Sequence, residues 1–296
     1  QLGDGRAINL FEVNHNNNQW ALQLKGAGET PYSRTADGLA VLRSSIREYL
    51  CSEAMYHLGV PTTRALSLAL TGDQVLRDVL YNGNPEYEKG AVVCRVSPSF
   101  IRFGNFEILA ARQDKKTLRT LTDYTIRHFF PSIKEGSKEA YLQFFREVTN
   151  NTLDMIIHWQ RVGFVHGVMN TDNMSILGLT IDYGPYGWLE GYEDGWTPNT
   201  TDRQYKRYRY GNQINIDAKA LEGILTEYRN NYSTKYLSMM KSKIGLFNYD
   251  ENDAELLGRL EDNLQLTETD MTIFFRNLNR ITKDSSTNED FLNPVM

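Results

Sequence analysis

The chain has 296 residues, of which 41% are hydrophobic, 11% aromatic and 23% charged, and its formal net charge is −5. This composition excludes an intrinsically disordered chain, which would be poorer in aromatic residues. No run of about 18 apolar residues occurs, so we expect no membrane span, and the mildly acidic balance argues against a nucleic-acid partner, which usually requires a basic excess.

The first 96 residues are rich in predicted strands. Short apolar runs that are separated by Asn, Gly and Pro are typical of strands and turns. Four such runs occur, at Ile8–Val13, Trp20–Leu24, Ala65–Leu70 and Ala91–Val96. A turn region at Asn82–Pro85 separates the last two.

A helix is predicted between the two pairs of strands, from about Leu42 to Leu58. Apolar residues recur along it at helical spacing, and Gly59 and Pro61 end it. We expect its buried stripe to consist of Leu42, Ile46, Leu50, Ala54 and Leu58. Glu48 lies roughly 200° around the helix from this stripe, at about 100° per residue. That position fits either plain exposure or a carboxylate that faces a cation on a strand.

The remainder of the chain is predicted to be mainly helical. Thr117–Phe130 is one candidate helix, and a longer one runs from about Ala140 to Val162 with aromatic residues at helical spacing, which we interpret as core. The fold class is therefore α+β. We predict a strand-rich N-lobe over residues 1–96 and a helical C-lobe over residues 97–296.

The two cysteines, Cys51 and Cys94, are too few for a disulfide framework or a four-cysteine zinc site. We expect small buried thiols, which weakly favours a reducing compartment. The chain begins at Gln1 without a leader sequence, and its first residues resemble the middle of a domain. We therefore expect it to be a piece of a longer protein.

Several features that a nucleotide site requires follow one another along the chain. Gly3, Gly5 and Arg6 precede the first predicted strand, Lys25 ends the second, and Glu48 lies in the following helix. An ATP site needs glycines near the phosphates, a cation on a strand and a carboxylate that orients this cation. Taken singly, the glycines also fit an ordinary turn, and Lys25 fits a solvated strand end.

A loop with catalytic character lies much later, at residues 166–173 (HGVMNTDN), and Asp182-Tyr-Gly follows it. An Asn and an Asp at this spacing supply the oxygen ligands that Mg²⁺ prefers. A protein kinase carries its catalytic aspartate two residues after the histidine. Val168 occupies that position here and cannot accept a proton, whereas a carboxylate appears at Asp172, which alone also fits a turn or a helix cap.

Long and unusual strings in the chain resemble one family. They are QLGDGR, LQLKGAG, AVLRSSIRE, GVPTTRAL, CRVSPSFIRFGNFE, FVHGVMNTDNMSILG and TIDYGPYG. Together they are similar to selenoprotein O, a family of protein adenylyltransferases (SelO/YdiU-like) with a protein-kinase-like bilobal pseudokinase fold. The resemblance covers residues 1–187 and continues more loosely to the end.

The resemblance implies an enzyme that transfers AMP from ATP to Ser, Thr or Tyr hydroxyls of proteins and releases pyrophosphate. In this family the nucleotide is reversed relative to a kinase, so that its terminal phosphates lie deep in the site. The cofactor would be Mg²⁺, with Mn²⁺ as a substitute. The location would be cytoplasmic for a bacterial protein and mitochondrial for a eukaryotic one.

The resemblance also assigns residues. Asp172 would be the general base, Asn173 and Asp182 would hold the metal, and Glu48 would pair with Lys25. The nucleotide contacts would be Gly3, Gly5, Arg6, Lys25, Asp37, Gly38, Arg95, Arg102 and Asp182. Without the resemblance, Arg95 and Arg102 are most simply interpreted as surface residues.

Two alternatives stay open at the level of sequence. The first is an atypical kinase that transfers the γ-phosphate with Asp172 as its base. The second is an inactive pseudokinase that binds nucleotide and acts as a scaffold. The presence of Lys25, Glu48, Asn173 and Asp182 disfavours the scaffold, because a dead site has no need for both metal ligands.

Overall fold

A computed structural model describes residues 5–16, 18–79, 82–134, 136–214, 222–246, 253–266 and 269–280. The chain forms two compact units. The first comprises Gln1–Met155 and Met169–Gly184, and the second comprises Ile156–Val168 and Pro185–Met296. No helix in the described part of the chain combines the length and the apolar character that crossing a bilayer requires.

The first unit contains a four-stranded antiparallel sheet. Its strands are β1 (Ala7–His15), β2 (Asn18–Lys25), β3 (Arg64–Arg77) and β4 (Glu86–Ser97), in the order β1-β2-β4-β3. All four predicted strands are confirmed, but β3 and β4 are much longer than their apolar runs. They are longer because strand pairing continues through polar residues that face solvent.

Helix α1 (Leu42–His57) confirms the predicted helix and packs against β3 and β4. Its predicted buried stripe is wrong, because Leu50 is 61% exposed and Ile46 and Leu58 are also exposed. The residues buried on this helix are Ser45, Glu48, Cys51, Ser52 and Met55. The face against the sheet is therefore made of small and polar residues around Met55, and Glu48 belongs to it.

Three further helices belong wholly or partly to the first unit. They are α2 (Phe103–Ala111), α3 (Lys115–Phe129) and α4 (Lys138–Arg161). The last two were predicted, whereas α2 was not, because it is short and contains Gly104 and Asn105 in its first turn. Asn105 nevertheless stabilises that turn, since its Oδ1 accepts a hydrogen bond from the backbone N–H of Arg102 at 2.9 Å.

The apolar core of the first unit lies between these helices. Its buried members are Ile126, Phe130, Ile133, Ala140, Phe144, Val148 and Ile176. The aromatic stripe of α4 contributes to it, as the sequence predicted. Cys51 and Cys94 are buried free thiols, which confirms their interpretation.

The second unit combines a two-stranded ribbon with helices. The ribbon pairs β5 (Phe164–Val165) with β6 (Gly187–Trp188), and the helices are α5 (Glu222–Ile244), α6 (Asp253–Leu266) and α7 (Met271–Leu278). Its core contains Val165, Leu189, Tyr210, Met240, Leu257, Leu264, Met271 and Phe275. Antiparallel strands and helices in separate segments make the fold α+β, as predicted.

Candidate active site

A buried group of charged side chains lies in the first unit. We call Lys25, Glu48, Arg95, Arg102 and Asp182 the charge cluster. Lys25 Nζ lies 2.7 Å from Glu48 Oε2 and 3.0 Å from Asp182 Oδ1, and all three side chains are at least nine-tenths buried. The interpretations of Lys25 as a solvated strand end and of Glu48 as an exposed side chain are therefore wrong.

Two arginines complete the charge cluster. Arg95 Nη1 lies 3.0 Å from Glu48 Oε1 and 2.7 Å from Asp182 Oδ1, and Arg102 Nη1 lies 2.6 Å from Asp182 Oδ2. Arg95 is 1% exposed and Arg102 is 6% exposed. The interpretation of both as surface residues is wrong, because carboxylates from distant parts of the chain compensate their charge inside the unit.

The strand register explains how β2 and β4 contribute to this group. Lys25 pairs with Val93 and Gln23 pairs with Arg95, so Lys25 and Arg95 lie on the same face of the sheet, one pleat apart. Arg102 is the residue before the first turn of α2. The sheet and the start of α2 therefore direct three cations at one point.

Asp182 has a left-handed backbone conformation, with φ of 56°, which aspartate tolerates better than most residues. The next residue, Tyr183, is buried, and its hydroxyl hydrogen-bonds to the hydroxyl of Thr62. In addition, the N–H of Thr180 donates to the carbonyl of Pro61 at 2.9 Å. Hydrogen bonds thus hold the segment that carries Asp182 in place on both sides of this residue.

The electrostatics of Asp182 result from two opposed effects. Burial opposes ionisation of the carboxyl, but the attraction of Arg102, Lys25 and Arg95 outweighs it and holds the pKa well below its usual range. Three cations and two carboxylates leave the charge cluster with one surplus positive charge. Such a site attracts a polyanion, and the two guanidinium groups suit phosphate oxygens.

Asp172 lies in a 3-10 turn, Thr171–Asn173, which Asn170 caps by accepting the N–H of Asp172 at 3.1 Å. Arg102 Nη1 also donates to the backbone carbonyl of Asp172 at 2.7 Å. One nitrogen thereby joins the Asp172 turn to the carboxylate of Asp182. Gly104 allows this approach, since a Cβ there would lie 2.5 Å from Asp172 Oδ1.

The side-chain oxygens of Asn173 and Asp182 are of the type that binds a magnesium ion together with phosphates. Both offer oxygen, which Mg²⁺ requires, and Asn173 is in the same turn as Asp172. The described residues contain no group of three or more His, Cys, Asp or Glu side chains that would form a protein-only metal site. Mg²⁺ is ordinarily held by one or two protein oxygens together with phosphates and water.

A second set of predicted residues lies in another part of the first unit. Gly5, Arg6 and Asp37 line a cavity of about 530 Å³, and Gly38 follows Asp37 directly. Arg77 holds Asp37 through two hydrogen bonds of 2.8 Å, and these lower the pKa of Asp37 despite some burial. Gly3 lies outside the described residues.

A larger cavity of about 840 Å³ opens beside the charge cluster. Arg102 and Asp172 line it together with Gln23, and its walls come from β1, β2, α2 and α3. It is large enough for a nucleotide or a substrate side chain. Of the predicted site residues, Asp172 and Arg102 therefore line the larger cavity, and Gly5, Arg6 and Asp37 line the smaller one.

Sequence reasoning missed two residues of these sites, Gln23 and Arg77. Gln23 precedes Lys25 by two positions and therefore shares its face of the strand, a signal that was available in the sequence. Arg77 gave no such signal, because it lies 40 positions from Asp37.

A family model described as protein adenylyltransferase SelO matches residues 1–295 of the chain. The chain belongs to the SelO family. Two proteins called protein nucleotidyltransferase YdiU illustrate the similarity. The one from Flavobacterium johnsoniae is 64% identical over 303 residues, covering 97% of this chain and 58% of the relative. The one from Rhodopirellula baltica is 58% identical over 302 residues, covering 94% and 56%.

A third nucleotidyltransferase YdiU, from Nitrosospira multiformis, is 55% identical over 302 residues. These SelO relatives are bacterial proteins. The chain spans little more than half of their length, between 54% and 58% for the three named here.

Proposed function

We propose that this chain carries the nucleotide site of a protein adenylyltransferase, which transfers AMP from ATP to Ser, Thr or Tyr hydroxyls of protein substrates. The observation that carries the proposal is the charge cluster, in which three buried cations converge on Asp182 beside Asp172. Membership of the SelO family and the names of the relatives support the same reaction.

The chemistry makes specific demands on such a site. The substrate hydroxyl attacks the α-phosphorus, the bond between the α-phosphorus and the bridging oxygen breaks, and pyrophosphate leaves. Since the leaving group carries more negative charge than ADP, deep positive charge is required. Lys25, Arg95 and Arg102 supply it, and the hydroxyl proton passes to Asp172.

In this proposal ATP binds in the reversed orientation, with its terminal phosphates against the cations of the charge cluster. The nucleotide contacts are Gly3, Gly5, Arg6, Lys25, Asp37, Gly38, Arg95, Arg102 and Asp182. Asn173 and Asp182 would hold Mg²⁺ or Mn²⁺, which when bound neutralises charge on the phosphates. Glu48 keeps Lys25 directed at them.

We also propose a kinase-like arrangement of the chain, with residues 1–96 as a strand-rich lobe and residues 97–296 as a helical lobe. The order of β2 with Lys25, α1 with Glu48 and a later Asp182 supports it. A bacterial cytoplasmic location stays a prediction.

ATP labelled separately at the α- and γ-phosphates tests the reaction. We expect label from the α-position to appear in protein, and label from the γ-position to appear only in pyrophosphate. Transfer of γ-label would instead identify an atypical kinase. ATP binding without any transfer would identify a nucleotide-binding scaffold.

Asp182→Asn is the matched inactive variant for this experiment, because it removes the carboxylate while keeping its shape. Asp202→Asn is the control, since Asp202 is also a buried aspartate and accepts from Arg207 at 2.9 Å, but it lies in the second unit. We expect transfer to be lost in the first variant and retained by the folded fraction of the second.

A further inference from the structure

Three polar side chains form a row across three neighbouring strands of the first unit. Asn9 of β1 pairs with Gln23 of β2, and Gln23 pairs with Arg95 of β4. Residues directly opposite on adjacent strands point to the same face of a sheet. This face also carries Lys25, so the row ends inside the charge cluster.

The hydrogen bonds along this row can run in only one direction. An arginine side chain only donates, so Gln23 must present its carbonyl oxygen, and Oε1 accepts from Arg95 Nη2. The amide nitrogen is then turned the other way, where Nε2 donates to Asn9 Oδ1 at 2.8 Å. Asn9 therefore fixes the orientation of Gln23, and Gln23 fixes one branch of the guanidinium.

The neutrality of Gln23 matters as much as its geometry. Arg95 Nη1 contacts two carboxylates, Glu48 at 3.0 Å and Asp182 at 2.7 Å, whereas Nη2 contacts an uncharged oxygen. A third carboxylate at position 23 would cancel the surplus positive charge of the cluster. Gln23 is only 4% exposed, so its hydrogen bond to Arg95 is shielded from bulk solvent.

We propose that Gln23 is a positioning residue for the phosphate tail of ATP, which rests on the proposed function. Gln23 holds the guanidinium of Arg95 in the orientation in which this group meets the phosphates. Because Gln23 is uncharged, it leaves the positive charge of Arg95 available to them. Gln23 lines the cavity of about 840 Å³ together with Arg102 and Asp172, so its hydrogen bond connects Arg95 to the wall of that cavity.

Two variants separate the geometric effect from the charge effect. Gln23→Met keeps the length and burial of the side chain but accepts no hydrogen bond of comparable strength. Gln23→Glu keeps the acceptor and adds a negative charge. The control is Gln19→Met in the same strand, because Gln19 is only half-buried and its side chain donates to Glu12 at 2.6 Å, outside the charge cluster.

Calorimetric titrations of each variant with ATP, pyrophosphate and AMP measure the effect. We expect the Kd for ATP and for pyrophosphate to rise roughly tenfold in Gln23→Met and further in Gln23→Glu, since a hydrogen bond to a charged group is lost or its charge is cancelled. The Kd for AMP should change less than about twofold, because AMP lacks the tail. Gln19→Met should resemble the wild type.

Unchanged affinities for ATP and pyrophosphate in both variants would overturn the inference. An equal loss for all three ligands, with a lowered melting temperature, would also overturn it and assign Gln23 to folding alone. If the wild-type chain binds neither ATP nor pyrophosphate, the proposed function fails first, and the inference fails with it.

Discussion

At the scale of single residues, Asp182 shows how a buried carboxylate stays charged. Desolvation favours its neutral form, and the attraction of Arg102, Lys25 and Arg95 reverses this preference and lowers its pKa. The cations around Asp182 thus keep it ionised, and the same concentration of positive charge suits the site to a polyanion.

Asp172 is the residue whose role is easiest to isolate. Its backbone carbonyl bonds to Arg102 and its N–H to Asn170, so a change in the carboxyl group leaves the turn in place. We predict that Asp172→Asn lowers kcat for AMP transfer by about 100-fold or more while the Kd for ATP stays within about threefold, because the amide cannot accept a proton. Single-turnover transfer and ATP titration measure the two effects.

The matched control is Glu107→Gln, since Glu107 is an exposed carboxylate that contacts the hydroxyl of Thr171, next to Asp172. Transfer by this variant should stay close to the wild-type rate. If Glu107→Gln lost transfer while Asp172→Asn retained it, the assignment of the base would move to Glu107.

Arg95 and Arg102 illustrate which part of the site sequence can predict. Motif order was enough to single out Lys25, Glu48 and Asp182, because each follows a recognisable local pattern. The burial of the two arginines depends on Asp182, which lies 87 and 80 positions away. No local pattern carries that information, so only the family resemblance assigned them to the site.

At the scale of elements, α1 contradicts the rule that the most apolar stripe of a helix is its buried face. Its existence and bounds follow from helical spacing and from Gly59. Its orientation, however, is set by the charge cluster, which requires Glu48 on the inner side, with Met55 as the main apolar contact. Leu50 is displaced to the outer side as a consequence.

This orientation predicts opposite outcomes for two truncations on the same helix. Met55→Ala should lower the free energy of unfolding by about 2–5 kcal/mol, because Met55 is completely buried and the change leaves a cavity. Leu50→Ala should change it by less than about 0.5 kcal/mol, since Leu50 is largely exposed. Urea unfolding of both variants measures the difference, and a larger effect at Leu50 would restore the apolar-stripe interpretation.

At the scale of the whole molecule, buried tyrosines are a common feature of both units. In the first unit Tyr183 is buried next to Asp182. In the second unit the buried Tyr210 donates to the backbone carbonyl of Gln160 at 3.1 Å, and the half-buried Tyr232 bonds to the side chain of Gln160 at 3.0 Å. Burial raises the pKa of Tyr183 and Tyr210 well above 10, and that of Tyr232 to about 12.

These shifts predict alkaline instability. A folded-state pKa above the unfolded value of 10 gives stability that is present below pH 10 and is lost as the pH rises further, because only the unfolded chain releases its protons there. About one pH unit above 10, each fully buried tyrosine should cost roughly 1.4 kcal/mol. Urea unfolding between about pH 8 and pH 11, with tyrosinate absorbance recorded in parallel, tests this. Full tyrosinate formation in a chain that remains folded would contradict it.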